Sequence, residues 1–91
     1  MRIVQTNAFS RAVKRLHKNE KKALDKAVKF IVSDPTCGDL KIGDLSGLRV
    51  YKFKVVAQQY LLGYLVDEDV LVLTLVGLGS HENFYRDLKQ Q

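Results

Sequence analysis

The chain has 91 residues, enough for one domain spanning 1–91 with a modest core and a small stability margin. Its 15 Lys and Arg against 10 Asp and Glu leave a formal charge of +5, which favours an anionic partner, either nucleic acid or an acidic protein. An apolar fraction of 46% excludes a disordered composition. The longest apolar run, Val70 to Leu78, is far short of the roughly 20 residues of a membrane helix. The opening Met1-Arg2-Ile3-Val4-Gln5 lacks the apolar core of a signal peptide, so the cytoplasm is the expected compartment. The lone Cys37 has no partner for an internal disulfide and no neighbouring ligand for a metal.

Residues 2 to 5 read as a short strand. Asn7 or Ser10 is a candidate cap for a first helix whose apolar positions, Phe9, Val13 and Leu16, recur at helical spacing. Asn19 is a second candidate cap. From Glu20 a second helix carries Leu24, Ala27, Val28 and Ile31 on one side and stops at Ser33-Asp34-Pro35, because the residue before proline resists the helical conformation. Two basic helices joined by so short a turn predict a helical hairpin. Residues 11 to 29 hold Arg11, Lys14, Arg15, Lys18, Lys21, Lys22, Lys26 and Lys29 against only Glu20 and Asp25, so the hairpin is the natural place for phosphate contacts.

The period then changes. A strand is possible near Leu40 to Leu45. From Leu48 to Val56 the residues alternate, with Arg49, Tyr51, Phe53 and Val55 on one side and Leu48, Val50, Lys52, Lys54 and Val56 on the other. Gln58-Gln59 reads as a turn, Tyr60 to Val66 as a strand, Asp67-Glu68-Asp69 as a turn, and Val70 to Val76 as a last strand broken by Gly77 and Gly79. Short turns make these strands an antiparallel meander. The last strand is apolar on both faces and should be central or covered on both sides. Ser80 is expected to cap a short helix from Glu82 to Lys89. The predicted class is α+β: an N-terminal helical hairpin packed on an antiparallel sheet, with a short C-terminal helix.

No P-loop, dinucleotide fingerprint, nucleophile elbow or metal-ligand cluster occurs, so no cofactor and no metal is expected. A basic strand face and one histidine in a turn remain. Lys52 and Lys54 project from the same side of a strand and could offset charge on a phosphate in transit. His81 stands at a strand end, where reactive groups are presented. If the last helix starts near Ser80, His81 and Tyr85 share one of its faces, with Arg86 one position round. His17 reads as a surface contact at the end of the first helix. The chemistry that fits is RNA cleavage, in which the 2′-hydroxyl attacks the adjacent phosphate and the protein need only align the groups, move protons and offset charge.

Two segments resemble a known family. Leu45-Ser46-Gly47-Leu48-Arg49-Val50-Tyr51-Lys52-Phe53-Lys54 is similar to the central strand of RelE-type toxins. Gly77-Leu78-Gly79-Ser80-His81-Glu82-Asn83-Phe84-Tyr85-Arg86 resembles the end of the RelE and YafQ branches of the RelE/ParE toxins. The strand followed by a basic hairpin matches the family layout, and the resemblance covers nearly the whole chain. It implies that Lys52 and Lys54 flank the scissile phosphate, that Tyr85 stacks on RNA or assists proton transfer, and that His81 matches the histidine YafQ-like toxins use at this place, where RelE has arginine. One position departs: where RelE carries arginine just after the tyrosine corresponding to Tyr60, this chain has Leu61. Arg49 or Arg86 could supply that charge. With Lys14, Arg15, Lys18 and Lys22 they complete the candidate RNA-contacting set. The resemblance further implies a toxin of a type II toxin-antitoxin system, acting as a ribosome-dependent mRNA endoribonuclease and held in a complex by a cognate antitoxin. A ParE-type gyrase inhibitor, or a non-catalytic RNA-binding module, would share the fold.

Overall fold

In the computed structural model, residues 44–46, 82 and 90–91 are not described, and 87–89 are described by their backbone alone. The expected strand around Leu40 to Leu45 and the expected helix start at Glu82 therefore lie partly outside the described residues. The element order is β1 (Arg2–Gln5), α1 (Asn7–Lys14), α2 (Lys18–Ser33), β2 (Asp39–Leu40), β3 (Arg49–Val55), β4 (Gln58–Asp67), β5 (Val72–Ser80) and α3 (Phe84–Lys89).

The five strands form one sheet in the order β1-β5-β4-β3-β2. β3, β4 and β5 are the expected meander, antiparallel throughout. β1 runs parallel to β5, with Arg2 opposite Val72 and Gln5 opposite Leu75, so the sheet is mixed rather than purely antiparallel. The α1–α2 hairpin carries the chain away from β1, and the sheet is then completed from its far edge inward. β5 thus lies inside the sheet, between β1 and β4, which fits its apolar faces.

The helix boundaries depend on caps that composition alone did not single out. Thr6, not Asn7 or Ser10, caps α1: its hydroxyl accepts from the Phe9 N–H at 3.1 Å. The same hydroxyl donates to the Val76 carbonyl at 2.7 Å. That carbonyl belongs to the extra residue where the β4–β5 register shifts, since Gly63 faces Gly77 while Tyr64 faces Leu75. One side chain therefore satisfies two orphan backbone groups in two elements. α2 begins at Lys18 with His17 in the capping position, so Asn19 lies inside the helix and His17 is not a C-terminal contact of α1. The Glu20 carboxylate reaches back to accept from the His17 backbone N–H at 2.6 Å.

Helices pack on both faces of the sheet, fully on one and over only part of the other. Under α1 and α2 lies the main core of Phe9, Leu24, Ala27, Ile31, Leu62, Tyr64, Leu73 and Leu75. On the opposite face α3 seals a smaller cluster of Leu48, Val50, Leu61 and Phe84. Gly77 and Gly79, expected to break the last strand, instead lie within β5, which runs on to Ser80. It is Gly63 of β4 whose bare backbone lets α3 sit down, since a Cβ there would lie 2.8 Å from the Phe84 ring. The β3–β4 turn also moves. It is Val56-Ala57, with Val56 at φ 56°, and Gln58 and Gln59 open β4 opposite Val55 and Lys54.

Candidate functional site

Strand alternation assigns each candidate to a face. Tyr51 and Phe53 pack against the main core under the helices. Lys52 and Lys54 consequently project from the other face, the one that carries α3. They are exposed and make no hydrogen bond or ion pair with any described residue. The register sets out the rest of that face in rows. Lys52 is opposite Leu61, and Leu61 is opposite Gly79. Lys54 is opposite Gln59, and the Gln59 carbonyl accepts from the His81 N–H at 3.3 Å. Gln59 and His81 also line one shallow concavity with Ala57, Gln58 and Ser80. Lys52, Lys54, Gln59 and His81 are therefore brought to the same end of one sheet face.

α3 begins at Phe84, so His81 stands in the turn before the helix and not on its first turn. The expected helical spacing between His81 and Tyr85 does not hold. Tyr85 instead packs beside the small cluster, edge-on to Phe84 with ring centroids 5.0 Å apart, and the Lys41 ammonium lies 5.8 Å from its ring centre. Tyr85 thus shares the lysine face, fixed by α3. Arg86 is exposed and donates to the Asn83 side chain at 2.9 Å.

Arg49 goes elsewhere. On the helix side of β3 its guanidinium donates to the carbonyls of Thr36 and Gly38, at 3.3 and 2.9 Å, and ties down the connection after α2. It does not face Lys52 and Lys54. Leu61, where the resemblance leads one to expect arginine, is fully buried beneath α3 and serves as a hydrophobic anchor for the last helix. Lys14, Arg15, Lys18 and Lys22 are exposed around the α1–α2 corner. Arg15 and His17 from that corner border a second concavity with Glu20, Tyr60, Ser80 and Asn83, so the basic corner sits at the same end of the sheet as His81.

Tyr60 and Glu20 brace this end. The Tyr60 hydroxyl donates to the Glu20 carboxylate, and the Tyr60 ring stacks on Phe53 with centroids 5.8 Å apart. The hydroxyl donor, with the His17 N–H, holds the Glu20 carboxyl below its usual 4.5, while the same hydrogen bond raises the Tyr60 hydroxyl above 10.0.

Sequence reasoning missed Gln59, which it read as a turn residue, and Lys41. Extending the Tyr60 strand backwards by two residues would have placed Gln59 beside Lys54. Val56 concealed this, because a β-branched residue is a poor candidate for a left-handed turn position. Among the described residues no group of three His, Cys, Asp or Glu side chains could hold a metal, and no helix is long and apolar enough to cross a membrane.

Solved structures share this architecture. A chain of the intact E. coli RelBE toxin-antitoxin complex aligns with a TM-score of 0.69 at 18% identity, covering 86% of this chain and 93% of that one. The YoeB/ParE toxin from Agrobacterium tumefaciens aligns at 0.72 and 16% identity, covering 89% and 99%. A doubly substituted E. coli RelE toxin in the free state aligns at 0.73 and 17% identity, covering 98% and 90%. At these identities the likeness establishes the fold, that of the RelE and YoeB/ParE toxins. No curated protein matches the chain by sequence. The model of a family described as ParE-like toxin of type II bacterial toxin-antitoxin system matches residues 3–89, and the chain belongs to that family.

Proposed function

We propose that this toxin is a ribosome-dependent mRNA endoribonuclease that needs no metal. The observation that carries the reading is the open sheet face that brings together Lys52, Lys54 and His81, whose side chains have no partner among the described residues. Unpaired lysines on a sheet face are also a common way to keep it soluble. What favours a substrate is their placement in one row system with a turn histidine, at the end of the sheet where the basic helix corner stands.

The reaction needs only these groups. The RNA 2′-hydroxyl attacks the adjacent phosphorus, a 2′,3′-cyclic phosphate forms, and the bond to the 5′-oxygen breaks. One proton leaves the 2′-hydroxyl and one joins the departing oxygen. An imidazole can give or take a proton near neutral pH, which is the role assigned to His81. Lys52 and Lys54 offset charge on the pentacoordinate phosphate. Tyr85, exposed on one side and fixed by Phe84 on the other, offers a ring for a splayed base. Lys14, Arg15, Lys18 and Lys22, with Arg86, are assigned to phosphate backbone of mRNA and ribosomal RNA. Arg49 is the weakest member of that set because its guanidinium is occupied by Thr36 and Gly38. A cognate antitoxin is the expected protein partner, as in the RelBE complex that shares the fold.

The test is a paired assay on one preparation: cleavage of a defined mRNA on programmed ribosomes, and supercoiling by DNA gyrase. Cleaved mRNA with unaffected gyrase is expected, and His81→Ala should lower the cleavage rate by about 100-fold or more. Intact mRNA with inhibited gyrase would sink the reading and return His81 to the surface.

A further inference from the structure

Between Lys54 and His81 stands a side chain to which no chemistry has yet been assigned. Gln59 opens β4 directly opposite Lys54, and its carbonyl holds the His81 N–H. Its neighbour Tyr60 turns to the helices, where it meets Glu20 and Phe53, so Gln59 turns to the lysine face. Its position in the sheet is fixed by backbone pairing alone. The side-chain amide makes no hydrogen bond with any described residue, and it lines the concavity that also holds His81.

An amide has one acceptor oxygen and two donor hydrogens and carries no charge. It contributes little to a phosphate site between cationic groups, but it can pair in two places at once with the edge of a base. Adjacent strands lie about 4.8 Å apart, so the row Lys54–Gln59–His81 spans roughly 10 Å. A nucleotide laid along that row places its phosphate within reach of the flanking groups and its base over the middle one. Resting on the endoribonuclease reading, we infer that Gln59 is the base-reading residue of the site: its amide hydrogen-bonds the edge of the nucleotide next to the scissile phosphate and sets the base preference of cleavage.

The glutamine could instead be a neutral surface residue with no contact to RNA, and the two readings separate on the distribution of cuts. Wild-type protein, Gln59→Ala and Gln59→Glu are each given programmed ribosomes carrying mRNAs that differ at one base of the cleaved codon. Their melting temperatures are compared in parallel, and should agree because the amide has no partner to lose. Wild type should discriminate between bases. Gln59→Ala should still cut but lose about tenfold or more of that discrimination. Gln59→Glu should shift the preference towards guanine, whose adjacent N–H groups suit an acceptor-only carboxylate. Wild-type cleavage without base preference, or variants that keep the wild-type distribution, would overturn the assignment and leave the nuclease reading intact. A wild-type protein that cuts no RNA would overturn both.

Discussion

Val56 holds the two-residue turn between β3 and β4 at φ 56°, and its side chain is 90% exposed. A β-branched residue there carries steric strain that packing does not repay. Val56→Gly should therefore stabilise the protein by about 0.5–1 kcal/mol, after the greater chain entropy of glycine is subtracted, and raise the melting temperature by a few degrees. A lower melting temperature would show that the turn is not strained. Tyr64 presents the opposite case, a side chain with every capacity used. It is fully buried, donates to the Pro35 carbonyl at 2.8 Å and accepts from the Gly38 N–H at 2.9 Å. Burial is the first cause that pushes its hydroxyl from 10.0 up to about 12. A folded value above the unfolded one means that the stabilisation is fully present below pH 10 and is lost as the pH rises towards about 12. Alkaline titration followed by circular dichroism should show that loss. Tyr64→Phe should remove most of it, leaving the smaller part due to Tyr60, at a cost of about 1–3 kcal/mol at neutral pH for the unpaired Gly38 N–H. Glu20 acts at the other end of the scale: its lowered carboxyl adds stability that disappears as the pH falls below the usual 4.5.

The seat of α3 depends on what is absent from the sheet beneath it. Phe84 is 2% exposed and lies over Leu48, Val50 and Leu61, and the ring fits because Gly63 has no Cβ to meet it. Gly63→Ala should cost about 1–3 kcal/mol through overpacking and should loosen the last helix before the rest of the fold. Limited proteolysis should then cut first within α3 while the melting of the α1–α2 side stays cooperative. A variant that melts as wild type with α3 protected would contradict this packing. The meander, the helical hairpin and the alternation of β3 were legible because each follows a period of two or 3.6 residues. The length of β5 was not legible, since Gly77 and Gly79 look like breakers until their pairing with Gly63 and Leu61 of β4 is in place. The cap Thr6 was hidden for a similar reason, as half of its work is done on Val76 across the fold.

At the scale of the molecule, the placement of the candidate site residues was only partly legible in the sequence. Lys52 and Lys54 could be placed on one face from spacing alone, and His81 at a strand end. That Gln59 lies between Lys54 and His81, and that Arg49 turns away, depended on the hairpin register and on the loop that Arg49 anchors. Folding has a consequence of its own. Residues 2–5 find their strand partners only at 72–75, so the first strand made is the last to be paired. Synthesis runs from the N-terminus, and α1 and α2 leave the ribosome with the sheet that should cover them still unbuilt. β5 must emerge before β1 can be paired, and the groups on the far face acquire their spacing only then. A chain of this fold that stalls part-way through translation is consequently unassembled, with Lys52, Lys54 and His81 not yet brought to one face.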